Sequence, residues 1–218
     1  MRKRIFGRLY KPDKRDKKFL MTPNLRKAAA INSRYWYVGP PLDQGSTPQC
    51  VAYAGYKWLW ASPIRNTKIP FTPAQLYKHA QENDEWPGTN YDGTSVRGLF
   101  KWLNKAFYSP KYIWGFDLDT VIAQVLTVGP VVMGTNWYTG MMDTDSKGFI
   151  HITGQIEGGH GWCLHGANKN LKKARMINSW GIDDFGQKGL AWISFDDLER
   201  LIGEEGEACI ATEVDLDK

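Results

Sequence analysis

The chain has 218 residues, enough for one domain, or one domain of two lobes, that buries its own core without disulfide or metal staples. Apolar and charged residues stand in the proportions of a soluble globular protein, aromatic content is high with ten Trp and ten Tyr, and no apolar run reaches the length of a membrane span. The net charge of +5 belongs to one end, because residues 1 to 18 carry +7 and residues 19 to 218 carry −2.

Taken in chain order, the first segment is a basic arm over residues 1–35. Met1-Arg2-Lys3-Arg4 has the basic head of a signal peptide but lacks the apolar stretch that should follow it. Residues 1–18 of this arm either bind nucleic acid or an acidic partner or form a solvated terminus, and the solvated reading is preferred because no aromatic-interleaved groove accompanies them. No membrane partner is expected. A helix is predicted from near Cys50, after Pro48, with Val51, Ala54 and Trp58 on its core face. Thr72-Pro73-Ala74-Gln75 is a capping box with Pro at the first helical position, and opens a second helix. Thr94 is a candidate cap for a third, in which Val96, Leu99, Leu103 and Ala106 recur at helical spacing. A fourth begins near Leu118 and stops at Gly129-Pro130.

After Pro130 the pattern becomes one of short strands: 131–133, 149–152, 161–166, 174–177, 190–194 and 208–214. A helical half followed by a mostly antiparallel half implies an α+β fold with segregated lobes, 36–129 mainly helical and 130–218 mainly β. Three widely spaced cysteines make no disulfide framework, which points to a reducing, cytoplasmic setting.

Three stretches carry chemistry: Gln44-Gly45-Ser46-Thr47-Pro48-Gln49-Cys50, Gly158-Gly159-His160-Gly161-Trp162 and Asn178-Ser179-Trp180-Gly181. They supply an amide donor and a thiol, an imidazole, and a carboxamide, the parts of a thiol-based acyl-transfer site. Cys50 falls at a helix N-terminus, where free N–H groups favour an anion, and the site is expected in the cleft between lobes. His160, Cys163 and His165 raise a zinc reading. On a strand, however, His160 faces one side and the other two face the opposite side, so no metal site is expected. Taken alone, Cys163 and Cys209 read as small buried hydrophobes, His79 as a helix-surface residue and His151 as a strand residue.

In their order, these motifs resemble those of the papain-like cysteine peptidases over residues 36–218. Gln44 stands six residues before Cys50 as the family's oxyanion glutamine does before its nucleophile, and Asn178-Ser179-Trp180-Gly181 is similar to the family's Asn-Ser-Trp-Gly signature. Phe185-Gly186-Gln187-Lys188-Gly189 resembles the turn that follows, and Tyr91-Asp92-Gly93-Thr94-Ser95 takes the place of the glycine loop lining the substrate groove. The resemblance implies a helical N-terminal lobe and an antiparallel, β-barrel-like C-terminal lobe with the cleft between them. It implies Gln44, Cys50, His160 and Asn178 as catalytic residues and Gly93, Gly134, Gly161 and Trp180 as substrate-binding ones, with no metal and no cofactor. Thr47 replaces the family's usual cysteine before the nucleophile, Val51 its usual aromatic after it, and the arm is too short for a long prosegment. The branch implied is a disulfide-free microbial or viral one. Hydrolysis of peptide bonds in a peptide or protein substrate is the expected activity. The alternatives are an isopeptidase, amidase or transpeptidase with the same triad, or a non-catalytic binding module.

Overall fold

The computed structural model describes residues 4–215, so Arg2 and Lys3 of the basic arm lie outside the described residues. The helices form where local signals demand them. The helix α1 spans Leu25–Ala29, α2 Cys50–Trp60, α3 Pro73–Gln81, α4 Val96–Lys105, α5 Leu118–Thr127 and α6 Phe195–Gly203. Helix α3 carries the reciprocal capping box, Thr72 Oγ1 accepting from Gln75 N–H while Gln75 Oε1 accepts from Thr72 N–H. Helix α4 is capped by Ser95 rather than Thr94, its hydroxyl accepting from Gly98 N–H at 2.8 Å. Thr94 is spent on Asp84 instead.

The strands are β1 Ser33–Tyr35, β2 Lys111–Gly115, β3 Val131–Tyr138, β4 Ile156–Asn168, β5 Lys173–Ile177, β6 Leu190–Ser194 and β7 Glu207–Thr212. Every named pairing is antiparallel, in the order β2-β7-β3-β4-β5-β6, with β1 added at the far end of β4. The fold is therefore α+β as expected, but the sheet is open rather than barrel-like: β2 and β6 end it without pairing to each other.

Three further expectations are corrected. Residues 149–152 form no strand; only Phe149 bridges to Trp192, and His151 is an exposed loop residue whose ring meets Asp145 at 2.9 Å. Helix α6 interrupts the β half, and β1 and β2 lie before Pro130. The arm is not a solvated terminus. Phe19 O accepts from Trp114 N–H and Met21 N–H donates to Trp114 O, laying the arm beside β2. Asp16 is buried against Arg97, and the arm's first described residues run into the groove between the lobes.

The core places α2 on the sheet. Trp58, Leu59, Leu76, Leu99, Phe100 and Leu103 pack continuously with Val132, Met133, Leu164, Met176 and Ile193. At Gly161 of β4 a Cβ would come within 2.7 Å of Val51 Cα, so only glycine lets the strand lie against the start of α2. That approach brings the start of α2, with Cys50, against the strand that carries His160.

Candidate active site

Cys50 is the first residue of α2, whose N-terminus has no side-chain cap. The thiol is fully buried, and the neighbouring backbone of Gly161 and Gly7 favours its anion. His160 is the next residue along β4 from that glycine. Its Nε2 lies 2.8 Å from Asn178 Oδ1, which also accepts from Ser179 N–H at 2.7 Å. A carboxamide oxygen only accepts, so Nε2 carries the ring proton and Nδ1 presents a lone pair. That lone pair is buried with no hydrogen-bond partner among the described residues. Trp137 and Trp180 enclose the ring at centroid distances of 4.7 and 4.9 Å, and Phe6 of the arm closes it at 5.9 Å.

Gln44 is held on both sides. Its backbone N–H donates to Ser179 O at 2.8 Å, and Ser179 Oγ donates to its Oε1 at 2.7 Å. The amide nitrogen is thereby turned toward the arm and donates to Thr47 O at 2.7 Å and Ile5 O at 3.2 Å. Ser179 escaped the sequence reading although its motif was recognised, because its hydroxyl finds Gln44 only through the fold.

The arm fills the groove as an extended peptide. Arg8 N–H donates to Gly159 O at 2.9 Å, Thr94 N–H to Gly7 O at 2.8 Å and Leu9 N–H to Thr94 O at 2.9 Å, a parallel bridge between Arg8 and Thr94. Gly7 sits at the sulfur, where a Cβ would lie 1.9 Å from Pro48 O. Its carbonyl is turned to Thr94, away from the Gln44 amide. Arg4 reaches the other end of the groove, pairing with Asp184 at 3.2 Å with its guanidinium 5.0 Å from the Trp180 ring.

The four candidate binding residues fare differently. Gly134 lines the pocket that holds the Arg8 side chain, a Cβ there coming within 3.2 Å of Arg8 Nε. Gly93, at φ +104°, gives Gly7 O room, whereas the hydrogen bonds to the arm come from Thr94, one residue on. Trp180 covers His160. Gly161 does not line the groove at all; it faces α2, and its burial is the reason. The residues that sequence reasoning missed are Ser179, Thr94 and Glu207, the last buried in the Arg8 pocket.

Under the arm the Cys50 thiol and the His160 ring are both neutral. Burial pushes the Cys50 thiol up and the His160 ring down to about 4, the bond to Asn178 only partly offsetting it. The expected sulfur–imidazole ion pair is therefore not formed in this covered state. The zinc reading finds no support in the placement of its residues. His165 Nδ1 lies 3.0 Å from Trp36 O, His160 is committed to Asn178, and no cluster of three metal-ligating side chains occurs among the described residues.

No protein-family model matches the sequence, and no curated protein does. Among solved structures, xylellain, a cysteine protease from Xylella fastidiosa, superposes with TM-score 0.74 at 19% identity, covering 99% of each chain. The architecture is that of the papain-like cysteine proteases. The papain-like fold is shared by procathepsin B S9 from Trypanosoma congolense, with TM-score 0.67, 10% identity and coverage of 95% of this chain and 86% of that one. Digestive procathepsin L 3 of Tenebrio molitor larval midgut matches with TM-score 0.62 at 14% identity, over 83% and 69% of the two chains. In this papain-like fold, the chain's thiol, imidazole and carboxamide all stand at the junction of the helical half and the sheet.

Proposed function

We propose that this chain is a cysteine peptidase held latent by its own N-terminal arm. One observation carries the reading: the groove over Cys50 binds an extended polypeptide through its backbone, with Thr94 and Gly159 as partners and Gly7 at the sulfur. Two of the similar structures bear names of precursors, which supports the latent state.

The arm is spared because its carbonyl at the sulfur faces Thr94. A substrate running the other way turns the corresponding carbonyl toward Gln44. Once the arm lifts, water reaches Cys50 and His160, the desolvation that kept both neutral falls away, and the thiol proton passes to His160 Nδ1. The thiolate attacks the carbonyl carbon, and the oxyanion is held by Gln44 Nε2 and the Cys50 N–H. The imidazolium gives its proton to the leaving amine, a thioester forms, and His160 then activates the water that releases the acid. Asn178 keeps the ring in the required tautomer, with Trp180 excluding water from that bond. Cys50, Cys163 and Cys209 are all free thiols, which supports a reducing, cytoplasmic setting.

The test uses the full chain with Gly7→Ala, since the added methyl has no space at Pro48 and displaces the arm. Hydrolysis of an unfolded protein substrate is expected to rise about tenfold or more above that of the unaltered chain and to vanish when Cys50→Ala is added. Equal hydrolysis with and without Cys50 overturns the proposal.

A further inference from the structure

Arg8 and Glu207 form a pair that the reaction does not use. Glu207 opens β7 beside Gly134 of β3, and its Oε2 accepts from Arg8 Nε at 2.9 Å, the two side chains being 6% and 2% exposed. A terminal guanidinium nitrogen also donates to Glu205 O. Val96 and Gly134 form the walls: a Cβ on Gly134 would lie 2.7 Å from Val96 Cγ2 and 3.0 Å from Glu207 Oε2, so any larger residue would fill the pocket. The Tyr10 ring lies 4.6 Å from the Arg8 guanidinium.

A carboxylate buried for stability alone is a poor choice, since an apolar side chain of similar volume serves as well or better. Here its cation comes from a segment that has to leave before the site can work. Departure strands a carboxylate among Val96, Gly134 and Cys209, a costly state unless a proton or a new cation replaces Arg8. The backbone places the pocket one residue from the sulfur: Gly7 sits over Cys50 and Arg8 enters the pocket. In a substrate running opposite to the arm, the same pocket receives the residue immediately before the one whose carbonyl is attacked.

Resting on the peptidase reading above, we propose that the pocket of Val96, Gly134 and Glu207 selects a basic side chain, arginine or lysine, at that position of the substrate. The arm thus blocks the site with the side chain that the pocket is built to take. The charged neighbours of Glu207 are consistent with this. Arg97 is engaged by Asp16 and by Glu85 at 3.6 Å, leaving Arg8 as the cation on the carboxylate. Tyr10, Cys209 and Glu85, the other titratable groups acting on it, bring no positive charge. Burial pushes Glu207 up to about 7 against the pull of Arg8 and Arg97, so the pocket loses its charge as pH falls.

The experiment measures kcat/KM of full-length Gly7→Ala on peptides differing only in Arg or Leu before the cleaved residue, with and without Glu207→Gln. The Arg peptide is expected to be favoured by about tenfold or more, and Glu207→Gln to cut that ratio about tenfold. The ratio in Gly7→Ala alone, compared at about pH 8 and about pH 5, is a second reading that needs no pocket variant, and it is expected to fall toward acid. A ratio indifferent to Glu207→Gln, or to pH, overturns the pocket assignment while leaving the peptidase intact. Failure to cleave either peptide overturns the peptidase reading itself, and this one with it.

Discussion

The chemistry turns on hydrogen bonds that fix donors and lone pairs in single orientations. Asn178 fixes the His160 ring, and Ser179 fixes Gln44 by donating to its Oε1 at 2.7 Å. In the proposed mechanism Ser179 is a positioning residue: without its hydroxyl the Gln44 amide can rotate and the oxyanion loses a donor. In the Gly7→Ala chain, Ser179→Ala is expected to lower kcat by about tenfold with KM little changed, and Ser179→Thr to restore it. A KM change without a kcat change, or no rescue by Thr, argues for mere packing. Gln44, Cys50, His160 and Asn178 stand out in the sequence because a thiol mechanism needs those residue types and the chain presents them in order; their roles belong to the proposed mechanism. Ser179, Thr94 and Glu207 do not, because nothing local distinguishes them; each acquires its role from a partner brought in by the fold. Gly161 was misread for the converse reason: a glycine beside a reacting residue suggests room for substrate, whereas this one makes room for Val51.

The readable elements are those with chemistry at their ends. Thr72-Pro73-Ala74-Gln75 announces α3 by satisfying two otherwise orphaned N–H groups. Thr72→Ala is accordingly expected to destabilise the fold by about 1 kcal/mol, read as a lower urea midpoint, with peptide hydrolysis by the Gly7→Ala chain unchanged. A midpoint that does not move would mean that α3 is held by its packing alone. Helix α6 stayed hidden because β6 runs straight into it, Ser194 ending the strand and capping the helix at once by accepting from Asp197 N–H. Residues 149–152 alternate like a strand but make only one bridge, because the loop holding them is tied instead through Asp145, which accepts from Lys147 and Phe149 N–H. Alternation reports a half-buried extended chain, and pairing depends on which edge lies within reach.

At the scale of the molecule, a basic arm closes over a body of opposite charge. Residues 1 to 18 carry +7 and the remainder −2, and the described part of the arm spends Arg4 on Asp184 and Arg8 on Glu207 at opposite ends of the groove. Composition showed that charge division but gave no hint of the arm's destination. The destination is set by single contacts such as Gly7 against Pro48. Covered, Cys50 and His160 are both neutral; in the proposed mechanism they become an ion pair once the arm lifts. The rate of Cys50 alkylation by iodoacetamide across pH, mapped by peptide mass in the unaltered chain and in Gly7→Ala, tests this most directly. The account predicts slow labelling of the unaltered chain at every pH, and fast labelling of Gly7→Ala that persists into acid far below the roughly 8.5 of a free thiol. A Gly7→Ala profile that follows an ordinary thiol would contradict it.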